Sequence, residues 1–93
     1  MLLLVTYDIA DDRRRQAVFE YLQAVGTRVQ LSTFECRIDD LSAERTLIDE
    51  LTTRIDEAED QIRMYRIDLG EEGENARIIG ARVLEEWRSF HIL

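Results

Sequence analysis

The 93-residue chain contains no lysine: its 12 cationic side chains are all arginines, set against 20 acids for a formal net charge of −8. A body so charged meets a phosphate backbone with a repulsive average field, which excludes nonspecific coating of nucleic acid. It does not exclude a local anchor, because an arginine fork binds phosphate bidentately where lysine acts as a point charge. Cysteine is almost absent too. Cys36 alone allows neither an internal disulfide nor a multi-cysteine metal site within one chain, and it fits a reducing compartment. The single histidine, His91, is set aside as incidental, so the body of the chain has no histidine base and no Ser/His/Asp or Cys/His nucleophile site. Long apolar runs are missing as well: Leu2 to Val5 stops at Thr6, far short of the ~20 residues of a membrane span. The start has neither the basic flank nor the cleavage site of a signal peptide, and the expectation is a cytoplasmic protein with no membrane partner. What remains is an ordinary globular composition, 45% apolar and 34% charged, sufficient for one small domain.

Leu2 to Tyr7 reads as a central strand ending at Asp8. Asp11 and Asp12 offer caps for a helix in which Val18, Tyr21, Leu22 and Val25 repeat at i, i+3, i+4 and i+7, with Gly26 as a left-handed terminator. From Arg28 the period becomes two. Val29 and Leu31 are apolar at odd positions and Phe34, Cys36 and Ile38 at even ones, so a turn or bulge must lie near Ser32 and Thr33. Asp39, Asp40 and Ser42 open a second helix carrying Leu47, Ile48, Leu51 and Ile55, and Gln61 to Ile67 reads as a fourth strand. This order predicts an α+β, ferredoxin-like βαββαβ domain over residues 1–80, with both helices on one face of the sheet. The other face of strand one is also mostly apolar, and a homodimer would cover it. Leu69 to Asn75 is a turn-rich loop whose three glutamates exclude a phosphate-binding reading of its two glycines. Ala76 to Ile79 is expected to add a short strand. Residues 81–93 form a tail expected to pack on the dimer partner, in which Val83, Leu84 and Trp87 fit a helical turn and Phe90 to Leu93 a terminal strand.

Asp8 stands where the first strand gives out, a place where side chains project at a sheet edge; an ordinary turn or capping role is the competing reading. One carboxylate holds a divalent cation poorly. Two copies facing each other across a dimer axis would have their repulsion relieved by Mg2+, which keeps several waters and needs few protein ligands; one of those waters could serve as nucleophile at phosphorus. Tyr7 falls on the opposite face, as a core or interface aromatic. Cys36 reads as a packed thiol, and Ser32 as a turn residue or a phosphate donor.

The sequence resembles the CRISPR-associated protein two family. The resemblance rests on Tyr7-Asp8-Ile9, on Asp11, Asp12 and Arg13 to Arg15, on Gly26 with Arg28-Val29-Gln30-Leu31-Ser32-Thr33-Phe34-Glu35-Cys36, and on Ile62-Arg63-Met64-Tyr65. Ala17 stands where some members carry a further arginine, and Thr33 where valine is usual. The resemblance implies a ferredoxin-like homodimer in which Asp8 of both subunits binds Mg2+ as the catalytic and metal residue. It also implies that Arg15, Arg28 and Phe34 lie at a nucleic-acid surface, to which the consecutive Arg13, Arg14 and Arg15 add, on the residues alone, a local cluster able to anchor phosphate. Two functions are compatible with it: a metal-dependent endonuclease cutting RNA or double-stranded DNA, and a subunit of CRISPR spacer acquisition that bridges integrase subunits and clamps a duplex. A ferredoxin-like domain that binds a small ligand or only itself is the third reading.

Overall fold

In the computed structural model, residues 1–82 are described. Six elements follow one another: β1 (Leu2–Asp8), α1 (Asp12–Val25), β2 (Thr27–Gln30), β3 (Thr33–Arg37), α2 (Leu41–Thr52) and β4 (Gln61–Ile67). The strands form one antiparallel sheet in the order β2-β3-β1-β4. That order and connectivity are the ferredoxin-like arrangement.

The apolar periodicities determine which face each element buries. Leu3, Val5 and Tyr7 of β1 and Phe34 and Cys36 of β3 meet Val18 and Leu22 of α1 and Leu47 and Leu51 of α2 in one core. The opposite face carries Leu2, Leu4, Thr6 and Asp8 from β1, Glu35 and Arg37 from β3, and Arg63, Tyr65 and Ile67 from β4, all in register. Both helices begin on an aspartate. Asp11 accepts from the Arg14 amide at 2.9 Å and Asp40 from the Ala43 amide at 2.8 Å, each satisfying an orphan donor of the first turn.

The phase slip between Val29 and Phe34 is a shift in the β2–β3 register between Arg28 and Gln30, followed by a turn at Leu31 and Ser32. The Tyr7 amide donates to the Ser32 carbonyl at 3.0 Å and thereby ties that turn to β1.

Three expectations are corrected. Gly26 is extended (φ −147°, ψ −170°), not left-handed. It is glycine because a Cβ there would lie 2.7 Å from the Cys36 Sγ and 2.9 Å from the Glu35 carbonyl oxygen, so α1 can run straight into β2 only without a side chain. Ala76 to Ile79 form no strand; Ile78 and Ile79 are 80% and 91% exposed, with no neighbouring strand to pair with among the described residues. Ile55 packs on the core from beyond the end of α2 rather than from its last turn. The readings placed on Val83, Leu84, Trp87, Phe90 to Leu93 and His91 fall outside the described residues.

Candidate nucleic-acid interface and metal position

Asp8 is the last residue of β1, opposite Gln61 of β4, and is exposed on the side of the sheet that the helices leave open. Among the described residues no three His, Cys, Asp or Glu side chains come together as a metal site. Asp8 therefore stands outside any such cluster; as a hard oxygen ligand it suits Mg2+, an ion held through one or two carboxylates and several waters, and a second Asp8 would supply the other.

The five residues assigned to a nucleic-acid surface separate. Arg13 is exposed in the first turn of α1. Arg14 is spent within the fold. Its Nε donates to the Asp60 Oδ2 at 2.8 Å, and its Nη2 to the Asp60 Oδ1 at 3.2 Å and the Glu59 Oε2 at 3.0 Å. Those bonds leave it little to offer a phosphate. Phe34 is fully buried, stacked at 6.4 Å on Tyr7 and edge-on at 6.0 Å to Phe19. Its place on the strand face shared with Cys36 makes it a core residue of the chain.

Arg15 and Arg28 do come together. They line a hollow of about 430 Å³ with Tyr7, Asp12, Gln16, Phe19 and Leu31, on the helix side of the sheet. The Arg28 guanidinium lies 5.2 Å from the centre of the Phe19 ring, so stacking on an aromatic face orients it. Arg15 is held by Asp12, its Nη1 and Nη2 donating to one carboxylate oxygen at 2.6 and 2.7 Å. Both side chains of that pair are well exposed, 44% and 94%, so water screens it and a phosphate can displace it at small cost. Tyr7 forms the inner wall: burial pushes its phenol up, and the charges of Arg28 and Arg15 oppose that shift, which places all three groups within electrostatic reach of one another. Leu31, 78% exposed, forms the lip.

Asp12, Arg15, Gln16 and Phe19 stand at i, i+3, i+4 and i+7, one stripe of α1. That spacing is legible in the sequence and would have found the hollow, whereas the core period of Val18 and Leu22 drew attention to the neighbouring stripe. Cys36 is inert: burial, and secondarily the charge of Glu35, push its thiol up to about 12. Burial also raises Glu35, on the open face.

The family model described as CRISPR associated protein Cas2 matches residues 1–74. Over 68 residues the chain is 43% identical to the CRISPR-associated endoribonuclease Cas2 3 of Chloroflexus aurantiacus, covering 73% of this chain and 72% of that protein. Over 96 residues it is 33% identical to the CRISPR-associated endonuclease Cas2 2 of Thermus thermophilus, covering 99% and 96%. Among solved structures, Streptococcus pyogenes Cas2 at pH 6.5 superimposes with a TM-score of 0.70 at 30% identity, over 86% of this chain and all of that one.

Proposed function

The chain belongs to the CRISPR-associated Cas2 family, and on that premise we propose that it serves CRISPR spacer acquisition as a homodimer that binds duplex nucleic acid and bridges integrase subunits. The observation that carries the binding part is the convergence of Arg15 and Arg28 on one hollow: two forks, Arg28 stacked on the Phe19 ring and Arg15 beside it, stand at the surface of an otherwise acidic molecule. Each can donate to two phosphate oxygens, so a duplex is held at a few points instead of by a general field, consistent with a net charge of −8. Asp12 is the competitor that phosphate must displace.

A second reading, phosphodiester hydrolysis, is favoured by the names of the relatives, endoribonuclease and endonuclease. In it Asp8 from each of two subunits would hold Mg2+, which when bound would neutralise charge on a phosphate. The Asp8 carboxylates would anchor the ion, and Arg15 and Arg28 would orient the strand. The two readings share the arginine hollow on the helix side of the sheet and differ in what Asp8, at the end of β1 on the open side, does.

The test is a reconstitution with the family's integrase subunit, measuring duplex binding, cutting and spacer integration. Arg15→Ala and Arg28→Ala are each expected to lower duplex affinity and to reduce the salt slope by about 1, as for a lost phosphate contact. Asp8→Ala is expected to abolish any cutting while integration survives. Unchanged binding in the double arginine variant would refute the proposed surface, and loss of integration with Asp8→Ala would make hydrolysis part of the biological role.

A further inference from the structure

The β1–β4 ladder ends where Asp8 faces Gln61. Just beyond it, Asp60 occupies the position from which a longer β4 would continue. Its side chain takes over the pairing that the backbone drops: the Asp60 Oδ1 accepts the Ala10 amide at 3.0 Å. The Asp60 Oδ2 accepts the Asp56 amide at 2.9 Å, which closes the turn Asp56–Asp60, itself bonded through Asp60 N to Asp56 O at 2.8 Å. The Arg14 guanidinium occupies the remaining sites through its Nε and Nη2. A carboxylate has about four acceptor sites, and here all four are taken. The Asp60 side chain is 0% exposed, and a charge so placed is tolerable only when fully bonded.

We propose that Asp60, with Arg14 as its arm, is a positioning residue for Asp8, clamping the segment Ile9–Asp11 so that the end of β1 and the start of α1 keep a fixed relation. This rests on the reading of Asp8 as half of a divalent-cation site. One carboxylate per chain can share an ion with its twin only if both stand at a defined place. Asp8 is bound to the sheet through β1 and followed by Ile9, buried in the core; the chain then bends at Ala10 and Asp11, where the backbone needs a tether of its own if the approach to α1 is to hold its place. The Ala10 bond to Asp60 supplies it, two residues on. The same clamp holds Asp11, which caps α1, and through that helix the stripe bearing Arg15. Glu59 holds the outer end of Arg14, at the rim, and steadies the arm.

The experiment uses the full chain with Mn2+ as the probe, measured by calorimetry or electron paramagnetic resonance, beside far-ultraviolet circular dichroism, light scattering and melting temperature. Asp60→Ala is expected to weaken Mn2+ binding about tenfold, the effect of removing a partner that orients a ligand. The dimer and the folded spectrum should be retained. Arg14→Lys, which keeps the charge but cannot span Asp60 and Glu59 together, is expected to give a smaller loss in the same direction; it carries the test alone if Asp60→Ala does not fold. Asp40→Ala, which removes the distant cap of α2, should lower the melting temperature without changing Mn2+ affinity. If Asp8→Ala abolishes Mn2+ binding while the folded Asp60→Ala and Arg14→Lys proteins bind it as the wild type does, the clamp is purely structural and the inference falls alone. If Asp8→Ala binds Mn2+ like the wild type, the reading of Asp8 falls first and the clamp with it.

Discussion

The Asp60 carboxyl is held well below the usual carboxylate range, first by its bond from Arg14 and then by the amides of Asp56 and Ala10, with burial opposing. A group whose pKa is lowered on folding stabilises the native state fully above its unfolded value, about 3.9, and loses that contribution as pH falls toward the folded value. The wild type is therefore expected to be more stable than Asp60→Asn at neutral pH, with the difference shrinking below about pH 4. Urea titrations of both proteins across that range check this; a gap that widens on acidification would contradict it. Cys36 gives a second test. With its thiol pushed up to about 12 and no exposed surface, it should resist a thiol reagent at pH 8 in the native protein and react only in denaturant. Rapid labelling of folded protein would place it elsewhere.

At the scale of elements, the junction between α1 and β2 is the least tolerant. Gly26→Ala puts a methyl group against the Cys36 Sγ and the Glu35 carbonyl, the second of which is backbone and cannot turn away. The expected cost is about 1–3 kcal/mol, the range for overpacking, read as a lower denaturation midpoint with an unchanged slope. The sequence named this glycine for a left-handed turn, because a helix end and a glycine meet there so often for that reason. The true cause is a contact with residues on another strand, which no local pattern encodes. The same divide runs through the site. The caps Asp11 and Asp40, the helix stripes and the strand alternation were legible because each depends on neighbours a few residues away. Arg14 and Phe34 depend on more distant contacts. Arg14 is captured by a carboxylate 46 positions later, and Phe34, in the same two-residue alternation as buried Cys36, is covered by rings from other elements.

Among the described residues the sheet has one face covered by the two helices and one that they leave open. Leu4 is half-buried and Tyr65 exposed on the open side, where they stand opposite each other in the β1–β4 register, and Asp8 lies on that side too. Two copies meeting there would bury apolar surface and bring the two acidic strand ends together, which one chain cannot do with its own ligands. Mn2+ stoichiometry is the most direct test of this pairing, counted on purified protein whose mass is measured by light scattering in the same buffer. The account predicts one ion for every two chains, on a dimer, with binding lost in Asp8→Ala. One ion for each chain, or binding by a monomer that survives Asp8→Ala, would contradict it.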